Sequence, residues 1–110
     1  MELQGTWTKD EEGYMHFETA QLQRLYELVT DDYYAAYNGF LDELGDEDDA
    51  FYKAREAGYE MITNDKLING ETEFDTTFHT PAYVADIWYM QDSRTGKKVF
   101  DKGFIRILKK

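Results

Sequence analysis

Residues 66–74, Lys-Leu-Ile-Asn-Gly-Glu-Thr-Glu-Phe, set the architecture. Asn69-Gly70 offers two residues that tolerate positive φ at the centre of a type I′ turn, so 66–68 and 71–79 are expected to pair as a β-hairpin. The chain beyond keeps this character. Pro81, the only proline, breaks the pairing or marks an edge, and 83–91 reads as a strand carrying Trp88. Residues 92–96 read as its turn and 97–101 as the next strand. Phe104, Ile105, Ile107 and Leu108 make a last strand after Lys102-Gly103.

Towards the N-terminus the apolar period changes from two to 3.6. Phe51, Ala54, Gly58, Met61 and Ile62 form one stripe, with Asp49, Lys53, Glu56 and Glu60 outside it, which predicts a helix opened by the four acids Asp46, Glu47, Asp48 and Asp49. Before it, Tyr33, Tyr37, Phe40, Leu41 and Leu44 predict a second helix capped by Thr30 or Asp31 and stopped at Gly45. A further helix of about ten residues starts at Glu18 on Leu22, Leu25, Tyr26, Leu28 and Val29 and ends near Thr30. At the N-terminus, 3–8 and 14–17 alternate around a turn at 9–13 and predict a short hairpin. The expected fold is therefore α+β: an antiparallel sheet, from the N-terminal hairpin plus the C-terminal strands, packed against two or three helices spanning about 19–62.

Nothing divides the 110 residues into more than one domain, and this length can bury a single core. Nine Tyr, seven Phe and two Trp supply it, whereas disordered acidic chains are poor in aromatics. No cysteine is present, so disulfides, thiolate nucleophiles and Cys-ligated zinc are excluded. The start lacks a secretory signal pattern and no apolar run approaches the length that spans a bilayer, so a cytoplasmic protein with no membrane partner is expected.

The charge is segregated. Residues 1–75 carry twenty acids against five bases, a net −15, while the remainder carries three acids against seven bases, a net +4, for a total of −11. Such an imbalance speaks to partners and association rates. Duplex DNA carries one charge per roughly 1.7 Å, and carboxylates one helical turn apart approximate that density. The expected partner-binding set is Asp31, Asp32, Asp42, Glu43, Asp46, Glu47, Asp48, Asp49, Glu56 and Glu60, with Tyr34 and Tyr52 as aromatic anchors among the charges. The expected partner is a basic protein surface. Direct nucleic-acid binding is not expected, because the basic tail sits beside an acidic block that repels phosphate.

Other chemistry has little to work with. Ser93 is the only serine, and His16 and His79, the only histidines, lie in strand-like segments without the spacing of a zinc site. Residues 46–49 lack the alternating ligands and central glycine of a calcium loop, and no glycine-rich phosphate loop occurs. No catalytic residue, metal or cofactor is assigned, and an enzyme is not expected.

In charge and size the chain is similar to small acidic anti-defence or immunity proteins, some of them nucleic-acid mimics, which implies a non-enzymatic inhibitor or modulator. Gly5-Thr6-Trp7 resembles the Gly-x-Trp that opens lipocalin-like barrels, which implies a small-ligand carrier, although helices over 19–62 leave too few strands for eight. An accessory structural subunit is the remaining alternative.

Overall fold

The computed structural model describes residues 2–68, 71–91 and 100–110. It opens on a hairpin of β1 (Glu2–Lys9) and β2 (Met15–Phe17). Asp10 closes the turn: its Oδ1 accepts from the backbone N–H of Glu12 at 3.0 Å and of Tyr14 at 2.9 Å. Gly13 takes the positive φ of 90° that the return requires.

A single helix follows, α1 (Ala20–Leu44), with Thr19 as its N-cap accepting from Leu22 N–H and Gly45 (φ 71°) as its C-cap. This corrects the expectation of two helices meeting at Thr30. Thr30 is no cap, because its hydroxyl donates back to the Tyr26 carbonyl at 2.9 Å and so is satisfied within the helix. Val29, Thr30 and Tyr33 are buried together, and packing carries the helix straight through.

Asp46 then caps α2 (Glu47–Glu56), accepting from Asp48 and Asp49 N–H. α2 is shorter than its apolar stripe suggested. Gly58 adopts φ 93° and Tyr59 N–H bonds the Ala54 carbonyl at 2.8 Å, which turns the chain out of the helix. Met61 and Ile62 therefore belong to strand β3 (Glu60–Ile68) and point to opposite faces, Met61 towards the core and Ile62 38% exposed on the other side.

β3 pairs with β4 (Glu71–His79), with Ile68 opposite Glu71. The Asn69-Gly70 turn expected there lies outside the described residues, as do the turn at 92–96 and the start of the strand expected at 97. Thr80 and Tyr83 close the next connection through reciprocal bonds, Thr80 N–H to the Tyr83 carbonyl at 2.9 Å and Tyr83 N–H to Thr80 Oγ1 at 3.0 Å. This leaves Pro81 between strands. β5 (Tyr83–Gln91) and β6 (Phe100–Lys109) complete the sheet. Lys102-Gly103, read as a break, lies inside β6, where Gly103 pairs with both Trp7 and Tyr89.

The six strands are antiparallel in the order β2-β1-β6-β5-β4-β3. One face, carrying Trp7, Ile105, Ile107, Ala85, Ile87 and Phe78, packs on Leu22, Val29 and Tyr33 of α1 to form the core. A fully buried aliphatic side chain of this kind contributes about 1.5–3 kcal/mol. α2 lies against α1 and the start of β3. The architecture is thus α+β in two layers, with both helices on one side. Among the described residues the sheet stays open at β2 and β3, so the barrel implied by Gly5-Thr6-Trp7 does not form. No helix among the described residues is long and apolar enough to cross a membrane.

Candidate acidic interface at the helical corner

α1 and α2 hold ten of the twelve residues expected to bind a partner, and Asp46, the N-cap of α2, is an eleventh beside them. Asp31, Asp32, Asp42, Glu43, Asp46, Glu47, Asp48, Asp49 and Glu56 are all exposed. Asp31 and Asp42 are eleven residues apart, as are Asp32 and Glu43, so at about 100° per residue each pair lies within about 20° of one line along α1.

Asp32 is drawn aside by the Tyr59 hydroxyl, which donates to its Oδ1 at 3.3 Å. Burial, and then the charge of Asp32, push the Tyr59 hydroxyl above its ordinary value of 10, which keeps it a donor. Sequence reasoning missed this contact, because Tyr59 follows the helix end that was itself misplaced.

Glu60 does not join the group. It is the first residue of β3, half-buried, and Arg55 Nε holds it at 2.8 Å. Glu56 has Lys53 at 3.9 Å, a long and exposed pair. The bases of α2 thus occupy its last turn, where they also suit the helix dipole.

What remains converges on the corner at Gly45. Asp42 and Glu43 end α1, while Asp46, Glu47, Asp48 and Asp49 begin α2, giving six carboxylates in eight residues with no base among them. The two groups have different physical standing. Acids at the start of α2 cap it and meet the positive end of its dipole, so helix stability accounts for them. Asp42 and Glu43 sit at the negative end of α1, where no basic residue offsets them. Folding gains nothing from that placement.

Tyr52 is 62% exposed on α2, with Asp48 and Glu56 one turn to either side, and its ring touches Phe51 at 5.9 Å. Tyr34 is more committed: it is 45% exposed, its ring packs edge-on to Tyr33 at 5.1 Å, and its hydroxyl lies 3.8 Å from Met61 Sδ. Among the described residues no three His, Asp or Glu side chains gather as metal ligands. His16 is held by Asp10 at 2.7 Å, and His79 is half-buried in β4.

A groove of 210 Å³ lies elsewhere, between β1 and α1, lined by Leu3, Gln21, Arg24, Leu25 and Leu28. This is smaller than the roughly 300–1,000 Å³ of pockets that enclose drug-sized ligands. Comparison with protein-family models, with curated proteins and with solved structures gave no match.

Proposed function

We propose that this protein is a non-enzymatic acidic modulator that docks the corner between α1 and α2 on a basic protein surface, such as a nucleic-acid-binding site, and thereby inhibits or modulates it. The observation that carries this reading is the pair Asp42 and Glu43, exposed at the helix end that disfavours them and continuous with four further carboxylates. Local rules are broken most often where function requires it. Tyr52 supplies an aromatic contact at the rim of the charge, as interface hot spots do.

A complex of this kind forms quickly and weakens with added salt. The test is capture of partners by the full chain and by a variant carrying Asp42→Asn, Glu43→Gln, Asp48→Asn and Asp49→Asn. A basic protein retained by the parent at low salt, released at high salt and absent from the variant is the expected result. If no such protein is found, or if the variant retains it equally, the reading fails.

A further inference from the structure

The sheet face turned away from the helices holds an uncompensated acid. Register places Asn64, Asp75, Trp88, Phe104 and Thr6 in one row across five strands of that face, with Thr77, Asp86 and Arg106 in the adjacent row. Asp75 is 7% exposed, and its Oδ1 is buried without a hydrogen-bond partner.

The neighbours do not relieve it. Asp86 is already bonded by the Thr77 hydroxyl, and Arg106 Nε, although 2.9 Å from Glu2 Oε1, is itself buried without hydrogen-bond geometry to any partner, Asp75 included. Asn64, directly opposite Asp75 on β3, makes no bond to it among the described residues. A desolvated carboxylate oxygen with no donor is costly and calls for an explanation.

The flanking rings indicate one. Trp88 lies directly across from Asp75, close enough for side-chain contact, and its ring is tilted 50° to that of Phe104 with centroids 5.7 Å apart. Both rings are half-exposed. A carboxylate beside aromatic faces matches an organic cation, and a guanidinium fits best because it is planar, stacks on indole and offers paired donors to a carboxylate.

We propose that Asp75, Trp88 and Phe104 form a receptor for an arginine side chain presented by a partner protein, on the opposite side of the molecule from the acidic corner. The site does not depend on the corner. Its ligand is set by charge complementarity: Asp75 has no donor, whereas Glu2, Glu60 and Asp86 on the same face each have a base or a hydroxyl beside them.

N-acetyl-arginine amide titrated into the full chain provides the probe, read by the indole N–H resonance of Trp88. Backbone N–H resonances of α2, on the other side of the sheet, serve as internal reference. A saturable shift at Trp88 is expected, weakened at least tenfold by the isosteric Asp75→Asn change and absent with the uncharged analogue N-acetyl-citrulline amide. The Asp75→Asn chain is also expected to unfold at a higher temperature than the parent, which shows that it folds. No saturable shift, an equal shift in Asp75→Asn, or an equal response to citrulline each overturns the proposal. The quadruple corner variant is expected to keep the full response, so failure at the corner and failure at Asp75 are read separately.

Discussion

Trp7 donates its indole N–H to the carbonyl of Trp88 at 3.0 Å, reaching across Gly103 on the strand between them. The ring lies where a side chain at position 103 would stand: a Cβ built there comes within 2.6 Å of Trp7 Nε1 and overlaps the Trp88 carbonyl. Gly103→Ala must displace the indole and its hydrogen bond, so a loss of about 1–3 kcal/mol is expected in urea unfolding. A neutral result would show that the indole can leave its place freely.

The acids at the end of α1 predict a trade between stability and binding. Asp42→Asn with Glu43→Gln removes two charges from the negative end of a helix dipole, so the chain should gain about 0.3–1 kcal/mol per position. The same variant should associate with the basic partner more slowly, within the range of one to three decades that interface charges command. Thermal melting and stopped-flow association measure the two effects on one preparation.

Capping and charge can be separated at Asp46. Its carboxylate accepts from Asp48 N–H at 2.9 Å and Asp49 N–H at 3.1 Å. Asp46→Ala should cost about 1 kcal/mol, whereas Asp46→Asn keeps an accepting oxygen and most of the stability. Partner affinity should fall in both if position 46 contributes its charge. Equal stability of the two variants would sink the capping assignment.

Asp10 predicts an acid-side loss of stability in the N-terminal hairpin. The hydrogen bond from His16, then that from Tyr14 N–H, hold its carboxyl below the ordinary value of 3.8. A carboxyl depressed in the folded state stabilises fully above its unfolded value, and the contribution fades as pH falls through the folded one. The difference in urea midpoint between the parent and Asp10→Asn should therefore be present at neutral pH, shrink as pH falls below the ordinary carboxyl value of 3.8 and vanish once it is below the folded value. A difference independent of pH would mean that the carboxylate charge plays no part.

The parts of this fold that sequence exposes are those governed by neighbours along the chain. Tyr83–Gln91 is read at both ends because Pro81 and a polar cluster bound it, and Gly45 and Asp46 announce the helix corner by their own backbone preferences. The unread parts depend on distant groups. Thr30 looks like a cap until Val29 and Tyr33 are known to be buried beside it, and Lys102-Gly103 looks like a turn until Trp7 is laid over it. Gly58, Met61 and Ile62 fit a helical stripe as well as they fit a turn and a strand, since so few residues cannot separate the two periods.

The site divides in the same way. Amphipathic spacing alone places the carboxylates of α1 and α2 outward. The withdrawal of Glu60 by Arg55 could not be read while the helix was taken to run past it. Asp75 carried a signal that was passed over: an acid in the middle of an otherwise β-forming segment, Phe74 to Phe78.

The placement of β1 beside β6 has a consequence for synthesis. Glu2 pairs with Leu108 and Thr8 with Lys102, so the ladder of the first strand joins residues about a hundred positions apart. On a translating ribosome the N-terminal hairpin and the helices emerge early, yet β1 has only the three residues of β2 to pair with until β6 appears. Trp7 waits uncovered for the same interval. Contacts so distant in sequence are slow to close, and the nascent chain therefore holds its first strand open until nearly all of the described residues have been made.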